Sequence, residues 1–258
     1  HKKIANRLKS LSFKRSNGGS AGNALSCIAA LGGDASFVGR IGADENGAFY
    51  EAESKQRGVK FIPLRDPSLP TGVANTFISD GGLRTFATYL GAAALLEAKH
   101  LDAAMPQDVD YVFIEGYLVQ NHELIERAVE LSHQRGAKVC LDLASWNIVE
   151  SEHAFFERLL PNIDIVFANE DEARAMTGRI GEEAARLLAQ TCQIAIVKCG
   201  PRGAVAVEGD QCVSAPATPV AQVLDTTGAG DFFAGGFLHR HALGGSLKDC
   251  LCEGAACA

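Results

Sequence analysis

Short apolar or β-branched runs alternate with helical stretches through most of this chain, and nothing else in it restricts the fold so tightly. Residues 35–41, 110–114, 138–143, 164–168 and 194–198 read as strands, and residues 23–31, 46–56, 122–134, 152–160 and 182–190 read as the helices between them. Runs that are apolar along their whole length belong to strands covered on both faces, and strand–helix–strand units join parallel neighbours by right-handed crossovers. The expected fold class is therefore α/β, a mostly parallel sheet with helices on both faces. With 258 residues, 47% of them hydrophobic, the chain can bury the core of one large α/β domain spanning residues 1–258.

Two stretches depart from the rhythm. Residues 73–79 and 83–90 flank Asp80-Gly81-Gly82 with alternating side chains, a hairpin signal, and a small β lid is expected to project at about residues 59–91. Such a flap could close over a site at the carboxyl ends of the strands, form an ordinary edge hairpin, or pair with a second copy in a homodimer. A second hairpin, residues 204–207 and 211–214 around Glu208-Gly209-Asp210, precedes the last helices.

The formal charge of −7 argues against nucleic acid as a partner, because phosphate backbones demand clustered Lys and Arg. The basic segment from His1 to Arg15 reads as a solvated helix face with Ile4, Leu8 and Leu11 at helical spacing. No run reaches the roughly 18 apolar residues a membrane span requires, and no signal-peptide pattern opens the chain, so a cytoplasmic protein without a membrane partner is expected. Of eight cysteines, Cys27, Cys140, Cys192, Cys199, Cys250 and Cys257 stand in apolar surroundings where a thiol acts as a small hydrophobe. No Cys-x-x-Cys pair exists, and His239-Arg240-His241 reads as an exposed helix end rather than a metal site.

The chemistry concentrates in two glycine-rich helix starts. Asp225-Thr226-Thr227-Gly228-Ala229-Gly230-Asp231 runs directly into the apolar Phe232–Leu238 stretch. A glycine turn that converges backbone N–H groups on a helix N-terminus suits a phosphate, and Asp231 stands beside it as a proton acceptor or, more plainly, as a carboxylate favouring the helix dipole. Gly18-Gly19-Ser20-Ala21-Gly22-Asn23 offers Ser20 and Asn23 as hydrogen-bonding groups for a hydroxylated ligand, or simply as a cap. Neither a Walker loop nor the dinucleotide glycine pattern occurs in its strand-to-helix setting, which disfavours a dinucleotide-dependent oxidoreductase. Asn169-Glu170-Asp171-Glu172 carries a third constellation, whose Asn and Glu could also be a capping box.

Taken in order, these motifs resemble the ribokinase-like carbohydrate kinases, the phosphofructokinase B family. The match runs through Gly18–Asn23, Leu31-Gly32-Gly33, Phe37–Gly47, Asn169–Glu172, Val197–Gly203 and Asp225–Asp231. The resemblance implies a ribokinase-like fold and ATP-dependent phosphoryl transfer, with Asp231 as general base and the backbone of Gly228, Ala229 and Gly230 as the hole for the transferred phosphoryl group. It further implies that Gly19, Ser20 and Asn23 join Asp231 in binding substrate, and that Asn169 and Glu172 position Mg²⁺. Asn169, Lys198, Gly200, Gly203, Thr226, Gly228 and Gly230 would serve the nucleotide, with Asp225 supporting the phosphate turn.

Gly-Gly-Ser-Ala-Gly-Asn, Pro70-Thr71-Gly72 and Tyr89–Ala93 are similar to the adenosine-kinase-like branch, which points to adenosine or another nucleoside. A sugar kinase of ribokinase or fructokinase type, and a catalytically silent nucleotide-binding homologue, are the alternatives. Phe77 or Phe86 on the lid could stack on a base, or could be core packing. The resemblance also leads one to expect a first strand ahead of His1, bearing an acidic residue for substrate hydroxyls, and a helix that runs on past Ala258.

Overall fold

A computed structural model describes residues 14–78, 84–220 and 226–258. The first half contains α1 (Ser20–Ala30), β1 (Ser36–Gly42), α2 (Glu45–Gln56), β2 (Lys60–Asp66), β3 (Val73–Ile78), β4 (Arg84–Tyr89), α3 (Ala98–Ala104), β5 (Tyr111–Glu115) and α4 (His122–Gln134). There follow β6 (Lys138–Asp142), α5 (Trp146–Ser151), α6 (His153–Leu159), β7 (Ile165–Asn169), α7 (Glu170–Thr177), α8 (Gly181–Leu188) and β8 (Ile194–Lys198). The last elements are β9 (Ala204–Glu208), β10 (Gln211–Ala215), α9 (Ala229–Ala242) and α10 (Leu247–Cys257).

A six-stranded sheet ordered β10-β9-β8-β7-β6-β5 forms the centre. Strands β5 to β8 pair in parallel. The β9–β10 hairpin continues the sheet with antiparallel pairing to β8 rather than standing apart as an insertion. Side chains alternate across the sheet as the period of two dictates. Val139, Leu141, Val166, Ala168, Ala195 and Val197 join one core with Ile125, Phe155, Phe156 and Leu188 from the helices on that face. Cys140, Ile165, Phe167, Ile194 and Ile196 join the other, with Phe233, Phe237, Leu238 and Leu251 of α9 and α10. The continuous apolar runs thus report burial on both sides, and the expected α/β architecture, a mostly parallel sheet with helices on both faces, holds.

The sequence reading assigned β1 to the same series as the central strands, and here the structure differs. Strand β1 pairs in parallel with β2 in a separate two-stranded sheet, over the seven positions Ser36↔Lys60 to Gly42↔Asp66. Its one charged residue accords with this: Arg40 pairs with Asp66 at 2.6 Å, a contact with no place inside a sheet covered on both faces. Residues 60–66 therefore extend the lid region as a parallel strand after the α2 crossover, not as an arm of a hairpin.

The hairpin itself is β3 with β4, in register from Val73↔Tyr89 to Ile78↔Arg84; its turn, Asp80-Gly81-Gly82, lies outside the described residues. Thr76 opposite Phe86 places that ring on the face away from Phe77. Phe77 is 38% and Phe86 54% exposed, so neither is core packing. Three further expectations are corrected. The 152–160 helix begins at His153, behind a separate α5. Cys257 is only half-buried. His239 and His241 are not an exposed end: they bond Glu253 at 2.5 Å and Tyr111 at 2.7 Å. The basic segment up to Phe13 and residue Asp225 lie outside the described residues.

Asp44 ties the β1–α2 junction to the entry of the lid. Its carboxylate caps α2 by accepting from Gly47 N at 2.8 Å, and accepts from the Thr71 hydroxyl at 2.6 Å and Thr71 N at 2.9 Å. These bonds, led by that hydroxyl, hold its pKa below the ordinary aspartate value. Asp44→Ala removes a cap and strands the buried Thr71 donors, so a loss of about 2–4 kcal/mol is expected in urea unfolding. Wild-type stability in that variant would show that the junction does not depend on the carboxylate.

Candidate active site

Each parallel strand of the central sheet ends in a polar residue after its apolar run: β5 in Glu115, β6 in Asp142, β7 in Asn169 and β8 in Lys198. In parallel α/β sheets the crevice outside these carboxyl ends is where ligands gather. The first turns of α1 and α9 meet the same edge, so the two glycine-rich motifs come together there.

Asp231 lies in the first turn of α9, and its Oδ2 accepts a hydrogen bond from Asn23 Nδ2 of α1 at 2.9 Å. Burial raises the pKa of Asp231 above the ordinary aspartate value and nearby Asp142 adds to the rise, while Asn23, Lys198 and Ser20 oppose it. Gly228 caps α9 with φ 79°, and a Cβ there would stand 3.2 Å from Asn23 Nδ2. Both the left-handed backbone and the close approach demand glycine. The Ala229 N–H donates to the Thr226 carbonyl at 3.2 Å, closing the turn that leads into the helix.

Lys198 brings positive charge to the same place. A Cβ on Gly230 would lie 3.1 Å from Lys198 Nζ, which puts the ammonium against the start of α9. Nζ also bonds Asp142 Oδ2 at 2.8 Å, and Asp142 is 6% exposed. Asp142 Oδ1 accepts from Ala144 N at 2.9 Å, and Ala144 adopts φ 65°, the only positive φ of a non-glycine among the described residues. A strained residue of this kind, at about 1–3 kcal/mol, fits a loop whose course is set by the site. Burial alone would lower the Lys198 pKa, but Asp142, Glu172 and Asp231 outweigh it, and the ammonium form is favoured.

Asn169 and Glu172 form a reciprocal capping box at the start of α7. Glu172 Oε2 accepts from Asn169 N at 2.8 Å and Oε1 from Asn169 Nδ2 at 2.5 Å, while Asn169 Oδ1 accepts from Glu172 N at 2.9 Å. The capping alternative is thus realised, without removing the pair from the site. Glu172 is fully buried, and burial, reinforced by Asp142 and opposed by Lys198, pushes its pKa up to about 7. Among the described residues no group of three or more His, Cys, Asp or Glu is placed to hold a metal. The donor chemistry nevertheless fits a hard cation bound through nucleotide phosphate and water. Its oxygens are hard, and Asp142, Glu172 and Asp231 all surround the one ammonium of Lys198.

Of the remaining expected residues, Gly200 and Gly203 shape the turn directly after Lys198, where Cys199 N donates to Gly203 O at 2.7 Å. Gly19 caps α1 at φ 97°. Thr226 begins the turn before α9. Sequence reasoning missed Glu115 and Asp142; the available signal was a carboxylate at the end of each of their apolar runs, directly after Ile114 and after Leu141.

The description pfkB family carbohydrate kinase matches residues 5–258. The chain belongs to the pfkB family of carbohydrate kinases. Its fold superposes on a probable sugar kinase protein from Rhizobium etli with a TM-score of 0.91 at 32% identity, covering 99% of this chain and 80% of that one. It superposes on the adenosine kinase of Sinorhizobium meliloti with a TM-score of 0.89 at 31% identity, covering 99% and 81%. Fructokinase-1 of Zea mays is 30% identical over 242 residues, 88% of this chain and 74% of the relative. Family membership makes the protein a kinase of the carbohydrate and nucleoside class. No helix among the described residues is long and apolar enough to cross a membrane.

Proposed function

We propose that this pfkB-family kinase transfers the γ-phosphoryl group of ATP to a hydroxyl of a nucleoside, adenosine first, with Asp231 as the base. The supporting observation is the Asp231 carboxylate itself, bonded to Asn23 and set beside Lys198 and the glycine start of α9. Asp231 accepts the proton of the acceptor hydroxyl as its oxygen attacks the γ-phosphorus in line, and ADP departs. In a loose phosphoryl-transfer transition state little proton removal precedes bond formation, so the carboxylate acts mainly by orienting the hydroxyl.

Charge developing on the phosphoryl oxygens meets two positive sources. One is the first turn of α9, with the backbone of Gly228, Ala229 and Gly230; the other is the Lys198 ammonium. Magnesium bound with the nucleotide would neutralise phosphate charge, and Asn169 and Glu172 would hold its waters. Thr226, Gly200 and Gly203 would border the nucleotide, while Gly19, Ser20 and Asn23 would line the acceptor side. The likeness to an adenosine kinase at 31% identity supports a nucleoside, and that to a fructokinase at 30% keeps a free sugar as the second reading. Exposed Phe77, Phe86 and Tyr89 supply aromatic faces on the lid for a base, or, with exposed Val73, an apolar surface for pairing with a second copy. ADP release across adenosine, other nucleosides, ribose, fructose and fructose phosphates tests the reading; release with none of them overturns it.

The reaction requires ionised Asp231, so kcat/KM should hold at neutral pH and fall as pH drops through the carboxyl pKa. Because burial raises that pKa, the acid limb should lie above the usual aspartate value of about 3.9. A limb at or below the usual value would contradict the assignment.

A further inference from the structure

Glu115 takes no direct part in the proposed transfer, yet it stands at the centre of the contacts that define the site. From the carboxyl end of β5 its Oε2 accepts the Ala21 backbone N–H at 3.0 Å, across 94 positions of sequence. This is an N–H group of the first turn of α1, which no residue of the helix itself can satisfy. The Gly19 cap contributes no side-chain hydrogen bond, so Glu115 is what fills that role. The next residue, Gly116, fixes where Glu115 stands: a Cβ at 116 would come within 2.5 Å of the Asp142 carbonyl, so the ends of β5 and β6 lie in close contact.

The same turn of α1 carries the group that holds Asp231. Ser20 leads it and Asn23 lies one turn on, and Asn23 Nδ2 bonds the Asp231 carboxylate at 2.9 Å. We propose that Glu115 is a positioning residue for phosphoryl transfer: by clamping the N-terminal turn of α1 to the end of β5, it sets Asn23, and through it the orientation of Asp231 toward the acceptor hydroxyl. This rests on the assignment of Asp231 as the base. The contacts run from Glu115 to the Ala21 N–H, along the first turn of α1 to Asn23, from Asn23 to Asp231, and from there to the substrate oxygen. A displacement of about 1 Å in such an arrangement costs on the order of 10²-fold in rate.

The test compares Glu115→Ala, Glu115→Gln, Asn23→Ala and the Glu115→Ala/Asn23→Ala double variant in steady-state kinetics, nucleotide affinity and amide hydrogen exchange. Glu115→Ala should lower kcat by about 10- to 100-fold, leave ATP affinity within about twofold, and speed exchange at the amide of Ala21. Glu115→Gln keeps an acceptor oxygen and should restore most of the rate. The double variant should be no slower than about threefold below Asn23→Ala alone, because both changes break one chain of contacts. The inference is overturned by wild-type kcat in Glu115→Ala, by Glu115→Gln as slow as Glu115→Ala, or by rate losses that multiply in the double variant. Should Glu115→Ala not fold, the cycle of Glu115→Gln with Asn23→Ala and the exchange of the Ala21 amide decide in its place: a Gln variant with wild-type exchange and rate sustains the clamp, and fast exchange with wild-type rate removes it. Failure of the underlying reading looks different, since wild-type protein would then release no ADP, or Asp231→Asn would remain fully active.

Discussion

Asp231→Asn is expected to lower kcat by about 10²- to 10⁴-fold while ATP affinity stays nearly unchanged. The amide has almost the volume of the carboxylate, so α9 and its glycine cap are preserved, but it cannot take a proton from the acceptor hydroxyl. It also offers one oxygen where the carboxylate offers two, and the bond from Asn23 competes for it. The acid limb of the wild-type pH profile should vanish in the residual activity, because the group that titrates there is gone. Nucleotide binding, read by calorimetry with a non-hydrolysable ATP analogue, should report Lys198 and the α9 backbone rather than residue 231. A purified variant that turns over at the wild-type rate would refute the base assignment.

The second large effect is expected at Lys198. Its ammonium lies 2.8 Å from Asp142 Oδ2, and Glu172 and Asp231 add to the negative field around it. Lys198→Met keeps the apolar stem and removes the charge, leaving buried carboxylates with no cation to offset them. Breaking one side of a buried pair costs about 3–5 kcal/mol, measurable as a lowered urea midpoint with an unchanged m-value. Adding Asp142→Asn to that variant should recover part of the loss, since a neutral amide at 142 tolerates the absence of the ammonium. Activity should not return with it, because the positive charge beside the α9 start is still missing. A Lys198→Met protein as stable as wild type would show that the carboxylates are solvated, and the electrostatic account of the site would fail with it.

Much of this architecture was legible in residue order. Strand β8 and helix α4 occupy the residues their patterns predict, because an apolar run of four closed by Lys198 and an amphipathic stretch of thirteen leave little choice once both sheet faces are covered. Local chemistry was legible as well: Asn169 and Glu172 cap α7 as their spacing implies, since a capping box is made within four residues. Where partners are remote, the pattern was silent. β1 alternates with helices as the central strands do, yet it pairs with β2, where Arg40 meets Asp66. Phe77 and Phe86 fit core and surface equally well by alternation, and only the register of the lid separates their faces and leaves both exposed.

The order of amino acids by itself determined which segments become strands and helices, where α9 begins, and that a carboxylate stands in its first turn, since hydrophobic periodicity and glycine's freedom at positive φ act over a few residues. The assembly of the site was decided by the tertiary structure. Asn23 meets Asp231 across 208 positions, Lys198 meets Asp142 across 56, and Glu115 reaches the start of α1 across 94. Contacts at such separations depend on strand order, register and helix packing, which bring the carboxyl ends of four parallel strands to one edge, and no local rule of sequence encodes which polar residue will face which across that crevice.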